Sequence, residues 1–262
     1  MVKFNSMRFF VLLTTIFLHS IAFSGQGQVQ AQAPAKRLQD YNRNVWLAYN
    51  GDHKITSKWG LHTEVQYRRA DFLKNPMQLL VRNGINYFLT DNAMLTAGYV
   101  YAKTHPFGDY PAAAITHENR LYQQLQLKNS LSIFELTHRY RQEQRWVKPE
   151  GGQKHTYTNR SRYMVRATLP LSAAENTTQA YPYLTASNEI FVNFGENVQQ
   201  NIFDQNRLAF AFGYRFSKAA TAEVGYMHQI VQRANGLVFE RNHLLQAGFT
   251  YNFDFTKNNT AQ

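Results

Sequence analysis

Apolar and polar residues alternate along most of the chain from residue 44 onward. The stretch HLLQAGFTYNFDF near the C-terminus shows this clearly, with Phe249, Tyr251, Phe253 and Phe255 at every second position. A period of two is typical of β-strands whose two faces meet different surroundings. The pattern predicts eleven strands, at residues 44–55, 59–69, 77–90, 93–103, 117–128, 131–146, 156–169, 181–194, 205–216, 220–232 and 241–255.

The lengths and faces of these strands favour a membrane barrel over a soluble sandwich. Many of them span 12 to 16 residues, whereas strands of soluble proteins have about 5–6 residues and membrane-spanning strands need about 9–11. In the segment 77–90, Leu79 and Ile85 lie on one face and Arg82 lies on the other. We therefore predict an all-β fold, a transmembrane antiparallel β-barrel whose apolar face meets lipid and whose polar face lines a lumen. A soluble sheet with one solvated face is the alternative.

Short and long connections alternate between the predicted strands. Short ones lie at 56–58, around Asp91, at 128–130 and at 217–220, and longer ones at 103–117, 147–155 and 194–205. Outer-membrane barrels have this arrangement of short periplasmic turns and longer outer loops, although the connection at 172–179 is long for the short side. Because single-chain bacterial barrels normally have an even number of strands, we expect ten or twelve. Segment 44–55 then lies outside the closed wall, or a further strand accompanies it.

The N-terminus has the features of a cleaved signal peptide. Lys3 and Arg8 precede an apolar segment at residues 9–23, and small residues follow it. The apolar run is short for a membrane span and ends in polar residues, which favours cleavage after Ser24 or Ala31 over an uncleaved anchor. We expect a signal peptide at residues 1–31, a short lead at 32–43, the barrel at 44–255 and a polar tail at 256–262.

Composition narrows the classes of function. The chain of 262 residues has no cysteine, which excludes disulfides and thiolate metal sites. Its mean hydropathy of −0.47 is too low for a bundle of membrane helices. The formal net charge is +11, yet the basic residues are scattered along strands, without the basic arm or recognition helix of a nucleic-acid-binding protein. We expect no nucleic-acid partner, no metal and no other cofactor.

Three internal segments and the C-terminal strand resemble a known family. NVWLAYNGDHKITSKWGLHTEVQYRR (44–69), HRYRQEQRW (138–146), NRSRYMVRATLPL (159–171) and the ending TYNFDF are similar to a set of Gram-negative outer-membrane proteins, domain of unknown function family 2490. The resemblance implies a barrel in the cell outer membrane, surrounded by its lipid, and carries no established activity. The ending, with Phe249, Tyr251, Phe253 and Phe255, looks like the signal that the barrel assembly machinery recognises during insertion.

Charged side chains on the predicted lumen face are the candidate functional residues. They are Arg82, Glu118, Arg120, Glu135, Arg139, Arg141, Glu143, Arg160, Arg162, Arg166, Glu189, Arg207, Arg215 and Glu223, with Glu64, Arg68 and Arg145 on the same face. Arginine binds carboxylates and phosphates through paired hydrogen bonds, so one hypothesis is a narrow channel for small anionic solutes. The other is a closed structural barrel, whose interior is filled by cross-strand pairs of arginine and glutamate. Under either hypothesis we expect that the protein is not an enzyme.

An outer-membrane acyl-ester hydrolase is the alternative from a different class. If segments 131–146 and 156–169 form a hairpin centred near residue 150, His138 lies opposite Tyr163 on the lipid face. Ser161 is then its diagonal neighbour, and Asn159 is one step further. Such a set could provide a nucleophile, a base and an orienting group. A surface adhesin or receptor that acts through the loop at 103–117 is a third hypothesis.

Overall fold

The computed structural model describes residues 37–172 and 180–256, and these residues form eleven β-strands. The predicted signal peptide, residues 32–36 of the predicted lead and residues 257–262 of the polar tail lie outside the described residues. The strands are β1 Leu38–Lys54, β2 Trp59–Ala70, β3 Asn75–Thr90, β4 Ala93–Thr104, β5 Thr116–Leu131, β6 Phe134–Pro149, β7 Thr156–Pro170, β8 Tyr181–Phe194, β9 Phe203–Arg215, β10 Ala220–Gln232 and β11 Val238–Tyr251.

The strands close into a barrel in which each strand is antiparallel to the next one in sequence. The closing pair differs, because β1 and β11 run parallel, with Val45 paired to Leu245 and Asn42 to Asn242. The expectation of ten or twelve strands is therefore wrong. An odd number of alternating strands makes the first and last strands parallel, and β1 begins at Leu38 rather than near residue 44, which gives it a long seam with β11.

Connections of two kinds lie at the two ends of the barrel. The end at which β11 finishes, here called the turn end, contains the connections at 55–58, 91–92, 132–133 and 216–219, as well as the end of β7 and the start of β8. The opposite end, here called the loop end, contains those at 71–74, 105–115, 150–155, 195–202 and 233–237. The turn predicted at 128–130 is displaced to 132–133, because β5 continues to Leu131.

The outer face of the barrel is apolar over most of its area. Exposed outward side chains include Leu47, Val65, Leu79, Ile85, Leu121, Leu184, Ile190, Leu208, Phe210, Phe212, Val224 and Leu245. Aromatic pairs flank this surface near both ends. The ring centroids of Trp59 and Tyr87 are 4.7 Å apart near the turn end, and those of Trp146 and Tyr157 are 5.2 Å apart near the loop end. An apolar band between aromatic girdles is the surface of a transmembrane barrel.

The four aromatic residues of the C-terminal pattern form a row. Consecutive ring centroids from Phe249 through Tyr251 and Phe253 to Phe255 are 6.4, 4.6 and 5.7 Å apart. Strand β11 ends at Tyr251, and the chain then continues along β1, where the Lys54 amide donates to the carbonyl oxygen of Phe253 at 2.8 Å. In the described ranges, no helix is both long enough and apolar enough to cross a membrane.

Candidate functional site in the barrel lumen

Polar and charged side chains fill the interior because the alternating strands turn them all to one side. They surround a cavity of about 480 Å³ whose wall contains eleven arginines and six acidic residues. The arginines are Arg68, Arg82, Arg120, Arg139, Arg141, Arg145, Arg160, Arg162, Arg166, Arg207 and Arg233, and the acids are Glu64, Glu118, Glu189, Asp204, Glu223 and Glu240.

Glu143 is the central acid of the interior, and its side chain is fully buried. Its Oε2 accepts hydrogen bonds from Arg160 Nε at 2.8 Å and Nη2 at 2.5 Å, and its Oε1 accepts one from Arg162 Nη1 at 2.8 Å. The guanidinium groups of Arg82 and Arg120 lie 4.0 Å from the same carboxylate. A buried carboxylate is stable only when it is paired and hydrogen-bonded, and these four arginines meet that requirement.

The neighbouring acids are also shared between arginines. Glu189 accepts from Arg139 at 2.9 Å and from Arg162 at 2.8 Å, and Arg207 lies 3.9 Å from it. Glu118 similarly accepts from two arginines on its own and the adjacent strand, Arg120 at 2.7 Å and Arg145 at 2.5 Å. This sharing leaves the network with more positive than negative charge.

Two buried arginines have neutral partners instead of acids. Arg141 donates to Gln124 Oε1 from Nε at 2.9 Å, and its guanidinium carbon is 5.1 Å from the ring centre of Tyr122. Arg68 donates to Gln66 from Nε at 3.1 Å and lies 3.8 Å from the ring centre of Trp46. Among the residues that the structure describes, no carboxylate oxygen is within 4.0 Å of either guanidinium. Neither guanidinium therefore has an ion-pair partner in this part of the chain, and Glu64 attracts both from a longer distance.

A layer of buried tyrosines and amides separates this cavity from a second one at the turn end. Tyr122 and Tyr183 are 1% and 4% exposed, and Tyr183 donates to Glu223 Oε1 at 2.7 Å. Beside them a hydrogen-bonded chain crosses β1 to β4. Asn86 donates to Asp52 at 2.8 Å and accepts from Thr96 at 2.7 Å. The second cavity has a volume of about 290 Å³.

The loop at 105–115 folds across the loop end of the lumen. Phe107 packs against the buried cluster of Trp46, Ala70, Met77 and Leu244. The amide of Asp109 donates to Asp40 Oδ1 on β1 at 3.2 Å, and Arg233 Nη2 donates to the carbonyl oxygen of Tyr110 at 3.5 Å. The loop connects β4 to β5, and it contacts β1 and the connection that follows β10. These contacts therefore place it across the mouth of the barrel.

Most of the residues predicted to face the lumen lie around the larger cavity. Eleven of them line it: Arg82, Glu118, Arg120, Arg139, Arg141, Arg160, Arg162, Arg166, Glu189, Arg207 and Glu223. Glu143 lies behind this wall at the centre of the ion-pair network.

Glu135 and Arg215 share the alternation of the inward residues on their strands, but they lie at the turn end and do not line this cavity. Glu135 is exposed at the turn end, because β6 begins one residue before it at Phe134. Arg215 is the last residue of β9, and its guanidinium carbon stacks 5.2 Å from the ring centre of Tyr181. The alternation of polar and apolar residues predicts on which side of the barrel wall a side chain lies, but not its position along the barrel axis.

The sequence interpretation missed several residues that shape the lumen. Trp46 packs against Arg68, Tyr122 packs against Arg141, and Asp204 accepts from Arg160 at 2.8 Å. A signal for Tyr122 was present, because it lies between Arg120 and Gln124 on a polar face. Arg233 lies in a connection, to which alternation assigns no face.

The three residues of the hydrolase hypothesis do not come together. The predicted register is wrong by two residues, because the structure pairs Tyr163 with Tyr140 and His138 with Val165. His138 Nδ1 lies 2.9 Å from the Tyr163 hydroxyl, whereas Ser161 donates to Gln142 at 2.6 Å. Four residues of strand, about 13 Å, separate His138 from the partner of Ser161. In this set of three residues, His138 and Ser161 are therefore not in contact.

Comparisons with known proteins identify a family. The family model described as "Protein of unknown function (DUF2490)" matches residues 43–242. None of the curated proteins matches the chain. Among solved structures, one titled "NanC porin structure in rhombohedral crystal form" is similar with 14% sequence identity and a TM-score of 0.42, over 74% of this chain and 91% of the other.

Proposed function

The chain belongs to the family described as "Protein of unknown function (DUF2490)", and from its barrel structure we propose that it is an outer-membrane protein with a narrow pathway for small anions. The apolar outer face supports the membrane location. The side chains of Val224 and Ile85 are 65% and 56% exposed, and many other outward apolar side chains are exposed too. A continuous apolar surface of this kind is stable in hydrocarbon rather than in water. Export through the predicted signal peptide and insertion by the assembly machinery belong to the same proposal.

The excess of arginine around the larger cavity supports anion preference. Eleven guanidinium groups and six acids share a cavity wall of low dielectric, where charges act more strongly than in water. Rings of arginine favour anions in pores. The observation that carries the proposal is Arg141, which is buried and held by a glutamine and a tyrosine rather than by an acid.

Conductance in planar bilayers tests this function. We expect discrete steps, and in a gradient of potassium chloride a reversal potential that shows preference for chloride. Arg141→Gln should reduce that preference, because it removes from the cavity wall a positive charge that has no ion-pair partner. Arg215→Gln is the matched control, since Arg215 lies outside this cavity. A cation preference in the intact protein would contradict the proposal.

A closed structural barrel is the second candidate, and two observations favour it. The loop at 105–115 covers the loop end through Phe107 and Asp109, and the layer containing Tyr122 and Tyr183 is buried. The absence of cysteine from the chain allows a specific test. A disulfide between Asp40→Cys and Asp109→Cys would hold the loop across the mouth.

If this loop limits a conducting pathway, reduction of the disulfide should increase the current. Single-cysteine variants should not respond to the reductant. No current in the intact protein or in the reduced variant would favour the structural barrel over the anion pathway.

A further inference from the structure

We propose that the larger cavity is a binding site for a compact oxyanion with two or more negative charges, of the phosphate or dicarboxylate class. The inference deepens the proposed anion pathway and rests on it, because both concern the same arginines. A volume of about 480 Å³ lies within the range of small-molecule sites, roughly 300–1,000 Å³.

Aromatic rings pack against four of the cavity arginines, of which Arg82 is ion-paired with Glu64 and Arg207 lies near Glu189. Trp46 lies between two of them, 3.8 Å from the guanidinium carbon of Arg68 and 5.0 Å from that of Arg207. Tyr122 has the same arrangement, with Arg82 at 5.4 Å and Arg141 at 5.1 Å from its ring centre. Stacking occupies the flat face of a guanidinium and leaves the N–H groups at its edge available for oxygen acceptors.

Unpaired donors are present among these buried groups. Arg141 is 3% exposed, and its Nη1 has no hydrogen-bond partner among the described residues. Arg82 Nε and Arg139 Nε share this property within the same part of the chain. A buried donor without an acceptor is unfavourable. These three atoms are closed off from the cavity space, so an oxygen atom of the ligand reaches them only when the neighbouring side chains move.

The charge balance sets the valence of the ligand. Arg68 and Arg141 have no carboxylate within ion-pair distance among the residues of the described barrel, and Arg207 has only a shared one at 3.9 Å. A monovalent ion could balance one of these charges, whereas a doubly charged oxyanion can accept hydrogen bonds from two arginines. Inorganic phosphate and succinate are therefore suitable probes, and chloride is the reference ion.

The test uses the full barrel folded in detergent. Its thermal unfolding midpoint is followed during titration with sodium phosphate, sodium succinate or sodium chloride at matched ionic strength. We expect phosphate or succinate to raise the midpoint more than chloride, and the stronger of the two identifies the ligand class. Arg68→Gln and Arg141→Gln should each weaken binding by about tenfold, the loss expected for a charge-assisted hydrogen bond. Arg215→Gln should bind as the intact protein does.

Further variants separate binding from folding. Without added oxyanion, Arg141→Gln should unfold at a higher temperature than the intact barrel, because it removes a repelling charge. Arg68→Lys keeps the charge without the paired donors, and its affinity should be intermediate. Equal stabilisation by all three salts, or equal loss in Arg215→Gln, would overturn the site. If the barrel binds phosphate but does not conduct, the binding site is supported and the anion pathway is refuted. If it conducts but does not bind phosphate or succinate, only the binding site is refuted.

Discussion

The two sides of the lumen differ in charge although the same alternation builds both. The charged arc, the inward faces of β5 to β8, carries Arg120, Arg139, Arg141, Arg145, Arg160, Arg162 and Arg166 together with Glu118, Glu143 and Glu189. The neutral arc is formed by β10, β11 and β1. It contributes Trp46, Ala48, Met227, Gln246 and Gly248 to the cavity wall, and its two acids there, Glu223 and Glu240, are each paired with an arginine.

Because they differ in charge, the two arcs have different roles. The charged arc fills its side of the lumen with ion pairs and stabilises the barrel. The neutral arc includes small residues, Ala48 and Gly248, which leave space for a solute on that side of the cavity. Gly248 illustrates this, because a methyl group placed there would have no atom nearer than 3.9 Å. Four substitutions test this difference between the arcs.

The largest effect is expected for Glu143→Gln in the charged arc. The change leaves four buried guanidinium groups around a neutral amide, and the breaking of a buried ion pair costs about 3–5 kcal/mol. Unfolding by urea, followed by tryptophan fluorescence in lipid vesicles, measures the free energy. Glu135→Gln is the matched control, because Glu135 is exposed at the turn end, and it should change stability by less than ~0.5 kcal/mol.

Gly98→Ala should destabilise the barrel by about 1–3 kcal/mol, the range for overpacking. The added methyl group would overlap the backbone oxygen of Asn83 and lie 2.8 Å from the Tyr122 ring. Gly248→Ala in the neutral arc should leave the unfolding free energy almost unchanged. Gly98 lies on β4, next to the charged arc, and equal losses at Gly98 and Gly248 would show that these two parts of the wall are packed alike.

Gly248→Leu should lower the single-channel current by about half while the barrel remains folded, because the side chain narrows the pathway without touching the arginines. Current recordings in planar bilayers measure this effect, and Gly248→Ala serves as the control of small volume. An unchanged current in the leucine variant would mean that solutes do not pass beside the neutral arc.

Ser161→Ala on the outer face of the charged arc should have the smallest effect. Its hydroxyl donates to Gln142 at 2.6 Å on the exposed surface, and removal should change stability by less than ~0.5 kcal/mol. The same variant tests the hydrolase hypothesis through release of fatty acid from phospholipid vesicles. If the intact protein shows such activity and Ser161→Ala loses it, Ser161 has a chemical role that the geometry does not indicate.

Local alternation was sufficient to predict most of the wall and its inner face. A period of two places Arg160 and Arg162 on one side whatever the register, and a register error of two residues preserves that side. This is why the lumen residues of β6 and β7 were identified although His138 was paired with the wrong residue.

The contacts between distant parts of the chain could not be predicted in this way. The parallel pairing of β1 with β11 joins residues about two hundred positions apart, and no local pattern specifies it. The inward fold of the loop at 105–115 depends on Phe107 reaching a cluster built from four strands. Such contacts depend on tertiary packing, which propensity and alternation do not encode.

The parallel seam has a consequence for biogenesis. In barrels with an even strand count, both chain ends emerge on the same side of the membrane. Here β1 begins with Leu38 at the loop end, and β11 ends with Tyr251 at the turn end. If strands enter the bilayer as hairpins, one strand remains without a hairpin mate and must cross by itself. The final step of assembly is then the pairing of this strand with the last one, which forms the parallel β1–β11 pair and closes the barrel.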